Sequence, residues 1–555
     1  MAGNAVHPYR TPSLPSPSPS PSPPKPVTAA DRAGRRTAPT WTAVTSWCLV
    51  AVGVGLRIRQ FAFRRSLWTD EASLAFNILH RGYGGLTRPL DVVQGAPIGF
   101  LWMEKTATEL FGTSEYALRL VPLIAGIVSV VLFRDLANKV LTPLAADVAL
   151  ALFAVAPALV YYSGEAKQYG VDVAVVVGLV WFLPRLLDGA LTTGKSLGWG
   201  ASAVVLVWCS FPAAFAAGGV TLVVVVVRSH RHQRRGLPVF IASSLYWVVS
   251  WAIEYAVSLR QLHSNGGLEG YWSFAFPPRP FGLGATLSWF GHDVRGVANY
   301  PWDLAVFPLV TTLLIVGLAT LVWRRPPLGL LIVLLVGVTV VAGIAHDYPL
   351  ADRMVLFSLP FVCLVLAATV LVSGRAGVQL LFVGLVLVVS VPELGSAASA
   401  TVHPYTKTEV REAYVYVQRH ERPGDAVLVE WEGVTLFDYY NRTLGVGANG
   451  YFRLTGSSTP CDNGRQLAQL EQWKRVWLVF AINPGSETGH PISTYVNAFR
   501  SVGLPTATFL SPGPAGAVLL TVSSVSTPAR TTIAAPSWKP DPYGCLSVIV
   551  TPMGQ

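Results

Sequence analysis

The sequence is poor in charged residues. Asp, Glu, Lys and Arg make up only 13% of its 555 residues, whereas 52% of the residues are hydrophobic. Soluble globular domains carry roughly 25% charged residues, so this shortage argues against an ordinary soluble protein and indicates lipid as the main solvent. A membrane β-barrel is also disfavoured, because the apolar runs are long and continuous rather than short and alternating.

Motifs for nucleotide or metal binding are absent from the sequence. It contains no Walker loop, no dinucleotide fingerprint and no zinc-ligand spacing. The formal net charge of +11 would suit a nucleic-acid-binding protein, but much of the basic charge lies in short loops between apolar runs, as membrane topology requires. We therefore predict no nucleic-acid partner, and the sequence indicates no metal or other cofactor.

Cysteine is scarce as well, with five residues in the chain. Cys48, Cys209 and Cys363 fall within apolar runs and are predicted to behave as small hydrophobic residues. Cys461 and Cys545 lie in the polar C-terminal region, where two interpretations stay open. An extracytoplasmic location would allow a disulfide between them; otherwise they are unpaired thiols.

What the sequence does contain is a series of apolar runs of about 17–25 residues, each long enough to cross a bilayer as a helix. Helix is predicted because backbone polar groups must be satisfied internally in lipid. About eleven spans are predicted, near residues 41–57, 118–136, 144–162, 170–187, 197–211, 212–228, 237–257, 303–323, 328–345, 354–373 and 377–394.

Three regions follow from this pattern. Residues 1–40 are rich in Pro and Ser and are predicted to be a disordered cytoplasmic tail. Residues 41–395 form the polytopic membrane domain, and residues 396–555 form a separate soluble domain of ordinary size. Basic clusters in the short loops predict a cytoplasmic N-terminus and an extracytoplasmic C-terminal domain. We predict a multi-pass plasma-membrane protein, and the Ala-, Val- and Arg-rich usage points to a bacterial source.

The C-terminal region alternates helix and strand patterns, which predicts a small α/β layer structure. The helices are expected at Val410–His420, residues 466–473 and residues 492–499. Buried strands are expected at residues 426–430 and 476–481.

Candidate functional residues cluster at the predicted outer ends of the spans. Asp70 and Glu71 follow the first span, and two acids in a first helical turn also favour the helix dipole, which is a purely structural explanation. The other candidates are Arg119 at the start of the second span, Glu165, Lys167 and Tyr169 after the third, and Arg353 at the start of the tenth.

Together these segments resemble the GT-C superfamily of integral-membrane glycosyltransferases. The resemblance covers residues 40–395 and is strongest to the bacterial branch related to protein O-mannosyltransferases and to the aminoarabinose transferases that modify lipid A. It rests on the acid pair, the Arg at the second span and the Glu-x-x-x-Tyr after the third. Where the family usually has Arg, this chain has Lys167. Its ammonium is a point charge and lacks the planar pair of N–H donors with which a guanidinium binds phosphate.

The resemblance implies a hexosyl- or pentosyltransferase that takes a sugar from a polyprenyl-phosphate donor. The acceptor would be a cell-envelope glycan, lipid or protein outside the cytoplasm, and the anomeric carbon would be inverted. Asp70 is expected to be the base or to orient the acceptor, with Glu71 holding a hydroxyl or tuning Asp70. Lys167, Arg353 and Arg119 are expected to bind the donor phosphate.

Structural explanations stay open for several of these residues. Arg119 and Arg353 would also suit snorkelling at span ends, and Glu165 and Tyr169, expected substrate-binding residues, would also suit a bridge between helix ends. Asp91 and Lys105 lie on the same outer loop as Asp70 and are weaker site candidates.

Two other functions compete with the transferase. A lipid or glycan transporter would carry ionisable residues in the middle of spans, and such residues are few here. A non-catalytic anchor presenting the C-terminal domain would need neither eleven spans nor a polar outer loop with paired acids. The aromatic loop around Trp272 and Trp289 suits either an interfacial belt or a substrate lid.

Overall fold

The structure is a computed structural model of the chain. It describes residues 40–259, 270–279, 282–429, 433–447, 451–453, 455–457, 473–481, 503–510, 515–522 and 545–547. The predicted tail up to residue 39, the predicted helix at 492–499, most of that at 466–473, and Cys461 lie outside the described residues. The chain divides into two compact units, Met1–Thr45 and Ser46–Gln555, and the interactions discussed below all lie within the second unit.

Helices dominate the described part of the chain up to residue 402. They are α1 Thr40–Ala62, α2 Thr69–His80, α3 Ile98–Phe111, α4 Glu115–Val140, α5 Pro143–Val155, α6 Pro157–Tyr162, α7 Tyr169–Leu187, α8 Thr193–Leu206, α9 Ala213–His230, α10 Leu237–Glu254, α11 Leu283–Asn299, α12 Phe307–Arg324, α13 Pro326–Ala345, α14 Leu359–Ala368, α15 Ala376–Val389 and α16 Val391–Val402.

The protein is a multi-pass helical membrane protein, as predicted. Seven helical segments of the described residues are long and apolar enough to cross a membrane, and α15 with α16, bent by 61°, would make an eighth. The other three predicted spans coincide with α1, with α8 and with the broken pair α5 and α6, which do not meet that standard of length and composition. The sequence therefore located the apolar helices but did not show which of them are short or broken.

The break between α5 and α6 has a local cause. Pro157 lacks an N–H and disfavours helical backbone in the residue before it, and Ala156 accordingly has ψ 117°. The side chain of Arg57, which is 1% exposed, donates to the freed carbonyl of Ala154 at 3.1 Å. The first span was predicted to end near Arg57, but α1 continues to Ala62 and carries Arg57 as a buried residue.

The C-terminal region is the α/β layer structure that the sequence predicts. Its strands are β1 Asp425–Val429, β2 Tyr451–Arg453, β3 Thr455–Ser457, β4 Arg475–Ala481, β5 Gly503–Leu510, β6 Ala515–Val522 and β7 Cys545–Ser547, and its helices are α17 Val410–His420 and α18 Val434–Leu444. One sheet has the order β2-β1-β4-β6-β5, and β3 pairs with β7. In the first sheet β1 lies parallel to β2 and β4, whereas β6 is antiparallel to β4 and β5.

The α/β layer packs directly on the loop that follows α1. The carboxylate of Glu409 accepts hydrogen bonds from both the backbone N–H and the hydroxyl of Ser66, each at 3.0 Å. The hydroxyl of Tyr440 accepts from the backbone N–H of Leu67 at 2.8 Å. Buried apolar side chains of both regions form one cluster. Contacts with Glu409 and Tyr440 thus hold in place the chain at residues 66–67, shortly before Asp70.

Candidate active site

Asp70 lies in the first turn of α2, at the edge of a buried ionic cluster. Trp68 caps this helix, and its backbone N–H donates to the carboxylate of Glu71 at 3.3 Å, which is half of a capping box. A negative side chain in a first turn is favoured by the helix dipole. Local sequence therefore explains why α2 begins here.

The structure brings Asp70 together with Arg353 and Lys167. Arg353 Nη2 donates to Asp70 Oδ2 at 2.8 Å, and Lys167 Nζ lies 3.7 Å from Asp70 Oδ1. Gln94 bridges the group, because its Nε2 donates to Asp70 Oδ1 at 3.2 Å and its Oε1 accepts from Lys167 Nζ. The Asp70 side chain keeps 23% exposure, whereas Lys167 and Arg353 keep 4% and 8%.

These contacts set the charge state of Asp70. Burial alone would raise the pKa of its carboxyl, but the positive charges of Lys167 and Arg353, helped by the hydrogen bond from Gln94, lower the pKa to about 2. Burial also lowers the pKa of the Lys167 ammonium, against the opposing effect of Asp70. Asp70 is therefore ionised at neutral pH and held by two cations.

Glu71 points away from this group into a second, closed cluster. Its carboxylate accepts from Arg119 Nε at 2.9 Å and Nη2 at 2.8 Å, from Arg65 Nη1 at 2.8 Å and from the backbone N–H of Ala166 at 2.8 Å. Glu71 is 0% exposed. Burial would raise the pKa of Glu71, but Arg119 and Arg65 lower it to about 2.

This geometry changes the roles expected of two residues. Arg119 was expected to bind the donor phosphate and Glu71 to act in catalysis, yet they hold each other in a bidentate pair with side chains 3% and 0% exposed. Arg119 also donates to the backbone carbonyl of Arg65 at 2.7 Å. Buried ion pairs of this kind fix backbone geometry. The arrangement favours a positioning role, in which the pair holds residues 65–71 and thereby Asp70.

Arg353 is oriented by an aromatic wall. Its Nε donates to the hydroxyl of Tyr169 at 3.0 Å, and its Cζ lies 5.0 Å from the ring centroid of Trp272 and 5.4 Å from that of Trp68. Cation–π contacts of this length favour a fixed guanidinium. Trp272 is 8% exposed, so the outer aromatic loop reaches the ionic cluster here, as the lid interpretation expects.

Glu165 lies behind Trp68. Its Oε1 accepts from the indole N–H of Trp68 at 2.7 Å, while Oε2 has no hydrogen-bond partner among the described residues. Burial raises the pKa of this carboxyl, although the positive charge of Lys407 opposes the change. Glu165 thus holds the indole ring of Trp68 in the aromatic wall and does not contact Asp70.

Asp91 and Lys105 are not brought into the cluster. Asp91 is 57% exposed and pairs with Arg81 at 2.6 Å, and Lys105 lies 3.7 Å from Glu109 on the same helix, α3. Both weaker candidates therefore belong to the periphery of the loop.

Sequence reasoning missed several residues of the site. Gln94 lies between two predicted helices of the outer loop, where nothing in the pattern distinguishes it from other loop residues. Lys407 follows the last membrane helix by a few residues and meets Trp68 from the C-terminal side. Trp68 precedes the acid pair in sequence, and an aromatic residue beside paired acids was the signal available for it.

The described residues contain no group of three or more His, Cys, Asp or Glu side chains that could hold a metal ion. Of the acid pair, Glu71 is already bound by two guanidinium groups, so the two carboxylates do not converge on one point. The sequence indicated no metal and left a divalent ion open, and that stays a prediction.

Comparison with known proteins gives similar backbones and one family match. ArnT from Cupriavidus metallidurans bound to undecaprenyl phosphate is 14% identical, with TM-score 0.47, covering 89% of this chain and 100% of that one. The apo oligosaccharyltransferase from Archaeoglobus fulgidus is 12% identical, with TM-score 0.49, covering 89% and 76%. The archaeal oligosaccharyltransferase AglB from Archaeoglobus fulgidus, with an inhibitory peptide and a dolichol-phosphate, is 12% identical, with TM-score 0.45, covering 88% and 75%.

No curated protein matches the sequence. Residues 95–253 match the model of the family described as dolichyl-phosphate-mannose-protein mannosyltransferase. That segment runs from the loop before α3 into α10 and includes Glu165, Lys167 and Tyr169. The match covers less than a third of the chain, and over that segment the sequence is similar to the mannosyltransferases, as the predicted resemblance expects.

Proposed function

We propose that this multi-pass membrane protein, related to the GT-C glycosyltransferases, transfers a sugar from a polyprenyl-phosphate donor to a hydroxyl of an extracytoplasmic acceptor, with inversion. One observation carries the proposal. A partly exposed carboxylate, Asp70, lies 2.8 Å from Arg353 and 3.7 Å from Lys167. A base and two cations suited to binding phosphate are therefore adjacent.

The chemistry divides between these groups. The acceptor hydroxyl gives its proton to Asp70 while its oxygen bonds to the anomeric carbon. The bond from that carbon to the phosphate oxygen breaks, and its electron pair stays on the phosphate. Arg353 and Lys167 stabilise the developing charge by preorganised charge-assisted hydrogen bonds. A lipid phosphate is already a good leaving group, so cations replace a general acid here.

Donor binding would also activate the base. In the free protein Arg353 and Lys167 hold the pKa of Asp70 down to about 2, which makes it a weak proton acceptor. A donor phosphate competes with Asp70 for the same two cations, since each N–H can serve only one strong acceptor at a time. Loss of these contacts, with burial unchanged, raises the pKa of Asp70. The base therefore becomes stronger when the donor is in place.

A pH profile tests this coupling. We expect the acidic limb of kcat, which reports the donor-bound complex, to lie at higher pH than the acidic limb of kcat/KM for the donor, which reports the free protein. The sign follows from the contacts, because a carboxyl with a depressed pKa loses its base form only when the pH falls through that pKa. Superimposed limbs would contradict the competition for Arg353 and Lys167.

A small cavity of about 30 Å³ lies beside the cluster. Gln94, which contacts both Asp70 and Lys167, lines it together with Leu86, Leu90, Val257 and Ser258. The last two residues lie at the end of the candidate span Leu237–Ser258. The cavity thus lies between the ionic cluster and the end of a membrane helix, and at about 30 Å³ it is too small for a prenyl chain as it stands.

We also propose that transfer does not require a divalent metal. Two fixed cations already face Asp70, and Glu71 is engaged by Arg65 and Arg119, so Asp70 is the one carboxylate of the acid pair at that point. We expect EDTA to leave the initial rate of the purified protein unchanged. Loss of activity on chelation, restored by Mg²⁺ or Mn²⁺, would show that the carboxylates bind a metal in the working enzyme.

The function itself is tested by product formation and by topology. The cell-envelope glycans of a deletion strain, compared with those of its parent, identify the missing sugar. Purified protein should then convert the matching polyprenyl-phosphate sugar into free polyprenyl phosphate and a glycosylated acceptor. The competing lipid transporter would move that donor between the leaflets of proteoliposomes without cleaving it, and donor that stays intact would reject the transferase.

A further inference from the structure

Lys407 is a cation with no role in the predicted site or in the proposed transfer step. It lies between the end of α16 and the start of α17, on the chain segment that joins the membrane helices to the α/β layer. Its Nζ is 3.6 Å from the ring centroid of Trp68, with the rings of Tyr161 and Tyr162 at 5.2 and 5.9 Å. Three aromatic rings therefore hold the ammonium.

The ammonium has unused hydrogen-bonding capacity. Lys167 donates to Gln94, whereas Lys407 makes cation–π contacts and no hydrogen bond or ion pair with any described residue. An ammonium carries three N–H donors, and ring faces stabilise its charge without occupying them in strong hydrogen bonds. A half-buried cation of this kind is suited to an anion that arrives from outside the protein.

Lys407 and Arg353 lie over the same indole ring. Arg353 Cζ is 5.4 Å from the Trp68 centroid, so the guanidinium that contacts Asp70 and the ammonium share one aromatic platform. The charged groups that act on Lys407 are Glu165, Arg353, Arg65 and Asp70. Burial raises the pKa of the Glu165 carboxyl, and the positive charge of Lys407 opposes the change.

Charge balance shows what a third cation would do. Asp70 with Lys167 and Arg353 carries one net positive charge, which matches the single negative charge of a phosphodiester donor. When the bond between the sugar and the phosphate oxygen breaks, the electron pair remains on the phosphate, and the departing monoester becomes a dianion. Asp70 takes the acceptor proton in the same step, so Lys167 and Arg353 balance the dianion at that moment. Once Asp70 releases this proton to water, the carboxylate, the two cations and the dianion carry one net negative charge, which a third cation would neutralise.

We propose that Lys407 binds the phosphomonoester end of the released lipid carrier and supplies the charge that balances its second negative charge. This inference rests on the proposed function, because it assigns Lys407 to the leaving group of that reaction. It also gives the C-terminal region a direct part in the site, through one side chain placed immediately before α17.

Binding of two ligands that differ by one charge tests the proposal at constant pH. Farnesyl phosphate is mostly dianionic at pH 8, since its second pKa is near 6, whereas its monomethyl ester is a monoanion. Dissociation constants would be measured by calorimetry with the full-length protein in detergent. We expect Lys407→Gln to weaken farnesyl phosphate about tenfold, the effect of losing one charge-assisted hydrogen bond, and to leave the methyl ester unchanged.

Two further variants sharpen the comparison. Lys407→Arg retains the charge and should keep the preference for the dianion. Lys195→Gln makes the same substitution at an exposed lysine that donates to the backbone carbonyl of Asp188, and should change neither ligand. Equal weakening of both ligands by Lys407→Gln, or of neither, would overturn the role of Lys407 while leaving the proposed function intact. Wild-type protein that binds neither ligand would overturn both.

Discussion

Replacing Asp70 by Asn is expected to reduce kcat for sugar transfer by about 10²–10⁴-fold, the contribution usual for a positioned general base. Asn has nearly the shape of Asp and keeps an oxygen for Arg353, but it cannot accept the acceptor proton. The donor KM should stay the same or fall, because Asn competes less than a carboxylate for Arg353 and Lys167. Steady-state kinetics with purified protein would separate the two parameters.

Asp91→Asn is the matched control for this variant. It makes the same substitution on the same outer loop, at a carboxyl that is 57% exposed and pairs with Arg81, and we expect nearly wild-type kcat. Equal abundance of both variants in the membrane excludes loss of insertion. Full activity of Asp70→Asn would remove Asp70 as the base and leave orientation of the acceptor as its only role.

The part of the site that sequence could predict is the part set by topology. Asp70, Lys167 and Arg353 each lie next to the predicted end of a membrane span, on what the charge pattern marks as one side of the bilayer. Residues at the same ends of neighbouring helices meet in space even when far apart in sequence. The structure joins these three around one carboxylate, over separations of up to 283 residues.

What sequence could not predict depends on side-chain direction. Asp70 and Glu71 are adjacent, yet successive residues on a helix point about 100° apart, so one faces Arg353 and the other Arg119. Which acid meets which cation depends on packing from residues 65–68 and 166, not on periodicity. The helix break at Pro157 and the bend between α15 and α16 likewise depend on local backbone geometry inside continuous apolar runs.

Arg119→Met is expected to act on stability rather than on donor binding. Arg119 donates two hydrogen bonds to Glu71 and others to the backbone carbonyls of Arg65 and Ser66, all within a nearly inaccessible cluster. Removing Arg119 leaves the buried Glu71 carboxylate with Arg65 in place of two guanidinium groups. Breaking a buried pair lowers the free energy of unfolding by about 3–5 kcal/mol. The thermal unfolding midpoint in detergent should fall by several degrees, while the donor KM of the folded fraction stays unchanged.

Lys139→Met provides the comparison on the same helix, α4. Lys139 pairs with Asp135 at 3.4 Å, with side chains 37% and 39% exposed, and exposed pairs of this kind contribute about 0–1 kcal/mol. We therefore expect its unfolding midpoint to stay close to that of the wild type. A stable Arg119→Met protein with a strongly raised donor KM would instead place Arg119 at the phosphate. Glu71 would then have to release Arg119 when the donor binds, and the two clusters would act as one.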